Sequence, residues 1–223
     1  MKKPIVHFSQ RNIKKNYRSI TGHFPSIKNN TSIGFESKLE KAHFLSLEFD
    51  NEVISYQEQP QVEICINGKD KIYSADCYIK RTKNSNKKDS IVEVKYTNEI
   101  EKRKDYFEKK FEAAKTSVNK LNLDFEVYTE KIHSEIYLDN LDFLYRYKLQ
   151  PIENKYEDQI LATIINKNNK ISAFDLANLI SKNPIEYGLI SNCIWDLVCK
   201  EKLKTNLELS KITMNSLVEL SYE

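Results

Sequence analysis

Near the middle of the chain an apolar run reads Ser90-Ile91-Val92-Glu93-Val94-Lys95, with an acid and an amine two positions apart. Upstream lies a second β-type run, Tyr73-Ser74-Ala75-Asp76-Cys77-Tyr78-Ile79, which carries an aspartate. Residues two apart on a strand project to the same side. Glu93 and Lys95 would therefore face one way, beside Asp76 on the neighbouring strand. Phosphodiester hydrolysis needs a cation to neutralise the phosphoryl oxygens and help ionise water, with a further group to stabilise developing charge. Mg²⁺ takes a few carboxylates and completes its octahedron with waters and phosphate oxygens. Asp76, Glu93 and the main-chain carbonyl of Val94 make such a set, with Mn²⁺ as a substitute ion. Lys95 would stand beside the scissile phosphate. The same residues also describe a plain hairpin with a solvated Glu/Lys face, and Asp…Glu-x-Lys is a permissive pattern.

Other chemistries lack their parts. His7, His23, His43 and His133 are scattered, so neither a zinc site nor a Ser-His-Asp set is easily built. His43 reads as a satisfied or exposed surface residue. No Gly-rich phosphate loop is present. Cys65, Cys77, Cys193 and Cys199 form no Cys-x-x-Cys pair and read as buried free thiols.

These candidates need elements to hold them. Phe35, Leu39, Ala42, Phe44, Leu45 and Leu47 repeat at helical spacing, which predicts a helix over about 34–50 capped by Thr31 or Ser32. Glu36, Glu40 and Glu48 fall near one side of it, normally a solvated stripe. Glu40, mid-helix between core positions, is placed to lean a further acid toward a sheet edge. Strands are expected over 53–59 and around Val62, Ile64 and Ile66, followed by an Asn67-Gly68 hairpin turn and a return strand over 71–80 that brings in Asp76. A polar loop over 81–89 exposes Lys83, Lys87 and Lys88, candidate DNA contacts. A strand over 91–96 precedes a long charged helix over about 99–121, whose buried stripe is Tyr106, Phe107, Phe111, Ala114 and Val118. A last strand over 125–129 completes an α-β-β-β-α-β order. Ahead of all this, Arg11, Lys14, Lys15 and Arg18 surround Tyr17, a mixture suited to phosphate contact and base stacking, or to an ordinary solvated arm.

From about residue 136 the pattern turns helical: 138–149, 156–166, 172–181 and 187–200, with Ser172 capping the third. Residues 200–206 resemble a tight wing turn with Leu207-Glu208-Leu209 after it. That suggests a winged-helix variant of the helix-turn-helix, or a small helical bundle for protein contacts. The organisation expected is a domain over 1–134 and a second over 135–223.

Composition sets bounds. With 40% hydrophobic and 30% charged residues, the chain is expected to pack. Its 35 basic and 32 acidic residues nearly cancel, so any DNA surface must come from local clustering. No apolar run is long enough for a signal peptide or a membrane span, which points to a cytoplasmic protein without a membrane partner.

Phe35-Glu36-Ser37-Lys38-Leu39-Glu40, Phe44-Leu45-Ser46-Leu47-Glu48-Phe49-Asp50, and Val53-Ile54-Ser55-Tyr56-Gln57-Glu58-Gln59-Pro60 resemble the TnsA family, the endonuclease subunits of heteromeric bacterial transposases. The similarity continues through Tyr73–Asp76, Val92–Lys95 and Phe125–Glu130, in the right order. The resemblance implies an α/β, restriction-endonuclease-like core, a mixed sheet flanked by helices, followed by a mostly α, winged-helix-like C-terminal domain. It implies Glu40 as the helical acid, with Glu36 its rival, Asp76 as the central metal ligand and Lys95 as the catalytic lysine. Glu93 stands where family members carry glutamine or glutamate, and Ala75 where many carry proline. The family's activity is cleavage at the 5′ ends of the element, with a TnsB-type recombinase cutting the 3′ ends and a TnsC-type AAA+ ATPase as regulator. The implied partners are therefore transposon-end DNA and these two proteins, in the cytoplasm at the nucleoid. A standalone restriction- or repair-type nuclease, and a non-catalytic DNA-binding adaptor, remain alternatives.

Overall fold

Alternating apolar and polar residues make strands of most of the first part of the chain, and helical spacing makes helices of the second. The structure, a computed structural model, describes residues 6–8, 20–167 and 170–221. The chain divides into two compact units, Met1–His133 and Ser134–Glu223. Among the described residues no helix is long and apolar enough to cross a membrane.

The first unit runs β1 (His7–Phe8), β2 (Gly22–Ser26), β3 (Thr31–Phe35), α1 (Lys38–Phe49), β4 (Val53–Glu58), β5 (Pro60–Ile66), β6 (Lys69–Ser74), β7 (Cys77–Arg81), β8 (Ser90–Val94), α2 (Thr97–Lys102), α3 (Lys104–Asn119) and β9 (Asp124–Tyr128). Four strands form the main sheet in the order β4-β7-β8-β9. The first two pairings are antiparallel and β8–β9 is parallel. A parallel pair requires a crossover, which α2 and α3 supply. Every residue of β8 is buried, as expected of a strand covered on both faces. Ile91 packs with Val62, Ile64, Tyr73, Ala114 and Val118 on the α3 side. Tyr128 meets His43 of α1 on the other side, with ring centroids 4.5 Å apart.

The structure departs from the sequence expectations at several places. Residues 31–35 are strand, not the start of the helix. They pair with β2 in a hairpin that buries Phe24, Ile33 and Phe35. The cap is accordingly Ser37, whose Oγ accepts the Glu40 N–H at 3.0 Å. The single return strand expected over 71–80 breaks at Ala75–Asp76, because β6 pairs with β5 whereas β7 pairs with β4 and β8. The long helix breaks at Arg103, which leaves helical dihedrals at φ −131° and ψ 39°. Tyr106 is 50% exposed, since it sits one position off the Phe107–Ala114–Val118 stripe. Cys77 and Cys193 are buried free thiols, whereas Cys65 is exposed, pointing away from the face that buries Ile64.

The second unit runs α4 (Glu135–Leu149), α5 (Glu157–Ile165), β10 (Lys170–Ser172), α6 (Ala173–Ile180), α7 (Pro184–Cys199), β11 (Leu203–Lys204) and β12 (Leu217–Leu220). Its strands form a small antiparallel sheet, β10-β12-β11. Ser172 caps α6 by accepting the Asp175 N–H. The segment after β11 is not the return strand that Leu207-Glu208-Leu209 suggests. The buried Asn140 side chain binds its backbone instead, donating to the Leu207 and Ser210 carbonyls and accepting the Ile212 N–H. The ladder partner of β11 is therefore β12.

Candidate active site

Asp76 lies where the chain passes from one sheet to another, and its main chain is held from both sides. Ala75 N–H donates to the Pro60 carbonyl at 3.0 Å, and the Asp76 carbonyl accepts the Gln59 N–H at 3.1 Å. On the other side Asp76 N–H donates to the Val92 carbonyl at 3.0 Å. Its carboxylate Oδ2 accepts the Val94 N–H at 2.7 Å, and Oδ1 accepts no hydrogen bond from the described residues. The side chain is thus aimed along the end of β8.

Glu93 is 3% exposed and sits on the α3 face of β8, as its two-residue spacing from Ile91 requires. Its Oε2 accepts the Tyr73 hydroxyl at 2.5 Å. Its Oε1 lies 3.1 Å from Lys110 Nζ and 3.9 Å from Lys95 Nζ. Lys110 also stands over the Tyr73 ring, 4.6 Å from the centroid. Lys95 follows β8 directly, its backbone N–H bonded to the Tyr128 carbonyl at 2.9 Å. Its side chain is about a quarter exposed, so the amine reaches open space from a fixed base.

Glu40 enters from the first turn of α1. Its carboxylate accepts the Glu36 N–H at 2.9 Å and the Ser37 hydroxyl at 3.0 Å, a capping-box-like arrangement that ties the helix start. Burial raises its pKa, partly offset by these two donors, and the Lys95 charge lowers it. Asp76 is pushed up to about 7, first by burial and then by the Glu93 charge, with Glu40 adding to the rise and the Val94 amide and Lys95 opposing it. Burial and then the Glu93 charge hold the Tyr73 hydroxyl well above its ordinary range, so it remains a neutral donor. Glu40, Asp76, Glu93 and Lys95 therefore share one electrostatic site.

The donor set is all oxygen, which suits a hard dication. Among the described residues no three His, Cys, Asp or Glu side chains group closely enough to enclose a metal. Mg²⁺ does not need such a cage, because it keeps several waters and is commonly held by one or two carboxylates. Asp76 Oδ1 is open, and Glu93 retains lone pairs beyond its present bonds. Two mutually repelling carboxylates in a half-buried pocket are the electrostatics a dication relieves.

Other expected contacts fall elsewhere. Lys83, Lys87 and Lys88 are exposed on the β7–β8 loop, at the far end of β8 from Lys95, roughly 16 Å away at strand rise. The loop is pinned by Asp89, which accepts the Tyr78 hydroxyl at 2.9 Å and the Arg81 N–H at 2.7 Å. Arg11, Lys14, Lys15 and Arg18 lie outside the described residues. Glu48 is not part of a solvated stripe: it is 1% exposed and accepts bonds from Ser26 and Tyr56 hydroxyls. His43 is likewise no surface histidine, being 4% exposed. Sequence reasoning missed Tyr73 and Lys110 as partners of Glu93. Tyr73 was visible in the same run as Asp76; Lys110 had no local signal.

A mixed sheet flanked by helices, with carboxylates and a lysine gathered at the ends of two adjacent strands, is consistent with an endonuclease-like fold. Residues 50–130 match the family model described as TnsA-like endonuclease N terminal. The match covers about a third of the chain and makes this stretch similar to the N-terminal domain of TnsA-like endonucleases. The matched stretch takes in Asp76, Glu93 and Lys95 and begins after Glu40. No curated protein matches the chain.

Proposed function

We propose that this chain is the Mg²⁺-dependent DNA endonuclease subunit of a transposase, hydrolysing phosphodiester bonds at the 5′ ends of a mobile element. The observation that carries the reading is the shared electrostatic site of Glu40, Asp76, Glu93 and Lys95, most of it inside the stretch that matches the TnsA-like model. Asp76 and Glu93, with the Val94 carbonyl, would hold Mg²⁺ or Mn²⁺, which when bound supplies charge neutralisation at the phosphate and an acidified water. Lys95 then has two tasks suited to its half-free amine: orienting the attacking water and stabilising developing charge on the phosphoryl oxygens. Glu40 contributes an acid whose raised proton affinity makes it a proton acceptor near the water. Tyr73 and Lys110 are positioning residues that fix the Glu93 rotamer.

The partners of this reading are transposon-end DNA, a TnsB-like recombinase that cuts the 3′ ends and a TnsC-like AAA+ ATPase. We take the second unit as winged-helix-like from its order of helices and small antiparallel sheet. Delivery by partners makes modest net charge sufficient, since tethering raises effective concentration without new DNA contacts. The test is excision with the partner proteins present. Asp76→Asn and Lys95→Ala should each abolish 5′-strand cleavage while leaving 3′-strand cleavage and the melting temperature intact. Normal double-strand excision by Asp76→Asn would sink the proposal.

A second reading is favoured by one feature, the Tyr73 and Lys110 contacts that already engage both carboxylate oxygens of Glu93. It takes the domain as an inert DNA-binding adaptor. Calorimetric titration with Mg²⁺ and Mn²⁺ separates the two: binding that disappears in Asp76→Asn supports the nuclease, and none in either protein supports the adaptor.

A further inference from the structure

Beside the carboxylates, α3 and the β5–β6 hairpin enclose a cavity of about 270 Å³, near the small end of the ~300–1,000 Å³ range of ligand clefts. Lys71, Lys109 and Lys110 line it, and no acidic residue does. Its apolar wall is made by Ile72, 61% exposed, and Tyr106, 50% exposed. Arg103 lies over the Tyr106 ring, 4.2 Å from the centroid, adding a fourth positive charge at the rim. The cavity adjoins the candidate active site, because Tyr73 and Lys110 line it and also hold Glu93.

We infer that this cavity takes an unpaired nucleotide of the DNA strand next to the scissile phosphate, its base against Tyr106 and its flanking phosphates on Lys71 and Lys109. Aromatic rings among lysines are what sequence-tolerant single-strand binding uses: the ring stacks a base while the amines follow the backbone. The three-lysine lining disfavours a cationic occupant, and Tyr73 and Lys110 set the nucleotide beside Glu93. The inference deepens the nuclease reading, since a strand positioned there presents its backbone to Lys95. It also predicts preference for ends whose base pairs are frayed or opened, because a paired base cannot enter the cavity.

The test is fluorescence anisotropy in EDTA, so that neither metal nor cleavage enters, with a short fluorescein-labelled DNA single strand and the duplex made from it. Tyr106→Ala should weaken single-strand binding roughly 5- to 150-fold, with a much smaller loss on the duplex and an unchanged salt dependence. Tyr106→Phe, which keeps the ring, should bind like wild type. Lys71→Ala and Lys109→Ala should each lower the slope of log affinity against log salt by about 0.7. Unchanged single-strand affinity in Tyr106→Ala, or an equal loss on single strand and duplex, overturns the inference. The two readings fail separately. Cleavage lost in Asp76→Asn with no Tyr106 effect on binding refutes the cavity alone, and cleavage retained in Asp76→Asn with the Tyr106 effect intact refutes the catalytic site alone.

Discussion

Acid should destabilise the first unit through one residue, His43. Its ring is 4% exposed, neither nitrogen has a hydrogen-bond partner among the described residues, and it packs 4.5 Å from the Tyr128 centroid. Burial, followed by the positive charges of His133 and Arg81, pushes its pKa from 6.5 down to about 3. The unfolded chain therefore takes up the proton first. The stability this neutral imidazole preserves is complete above pH ~6.5, falls as pH drops below that value, and stops falling near pH ~3, where the folded form also protonates. At pH ~5 the loss is about 2 kcal/mol, and near the lower limit it approaches roughly 5 kcal/mol.

The perturbation is His43→Leu, which removes the titration and keeps an apolar side chain of similar bulk. Trp195, the single tryptophan, belongs to the second unit, so its fluorescence follows the wrong part of the chain. Amide hydrogen exchange across β8 and β9 reports the first unit directly, expressed as protection factors at pH ~7.5 and pH ~5. Asp76 and Glu40, whose pKa values are raised, gain stability as pH falls, but they titrate in both proteins and cancel in the comparison. Wild type should lose about 2 kcal/mol, roughly 30-fold in protection, more than His43→Leu over that interval. Equal pH dependence in the two proteins would refute the reasoning, because the imidazole would then be charging inside the fold.

Two further perturbations isolate single interactions. Tyr56→Phe removes one hydroxyl from the buried Glu48 carboxylate and should lower stability by about 1.5–3 kcal/mol, the range for hydrogen bonds to charged groups; a neutral result in a thermal melt would mean Ser26 and the Lys28 amide suffice. Gly68 has φ +73° with nothing within 4 Å of a Cβ, so Gly68→Ala should cost only the left-handed backbone penalty of about 1–2 kcal/mol, with Gly68→Asn closer to wild type in the same melt.

What the sequence made readable was decided by neighbours along the chain. The alternation of Val62, Ile64 and Ile66, the Asn67-Gly68 turn and the Ser172 cap are all local, and each stands where expected. The pairing of Asp76 with Glu93 followed from two adjacent strands and a loop between them. Beyond that, local reading ran out. Thr31–Phe35 is strand because Gly22–Ser26 pairs with it, and nothing within 31–35 announces that partner. Glu48 and His43 sit at helix positions where polarity suggests solvent. Their burial is decided by Ser26 and Tyr56 in one case and Tyr128 in the other, all distant in sequence. Lys110 reaches Glu93 only because α3 packs on β5, and its place among Lys109 and Lys104 made it look like one more solvated amine.

The departure at Ala75 acquires a physical meaning from this. A proline before the aspartate, which the resemblance leads one to expect, would stiffen the chain there by fixing φ, worth about 0.4–1 kcal/mol through the unfolded state. Ala75 lacks that restriction, but it has an N–H, which donates to the Pro60 carbonyl at 3.0 Å from a site that is 1% exposed. A net backbone hydrogen bond is worth about 0.5–1.5 kcal/mol, so the two solutions are of similar size. A proline at 75 would leave the Pro60 carbonyl without this donor. The chain thus holds Asp76 through the β5 crossover, where Gln59, at φ +53°, bends so that its own N–H reaches the Asp76 carbonyl. The position of the central carboxylate therefore depends on the β5–β6 hairpin as much as on the main sheet, and the same hairpin forms a wall of the lysine-lined cavity. A nucleotide bound in that cavity would press on the element that sets Asp76.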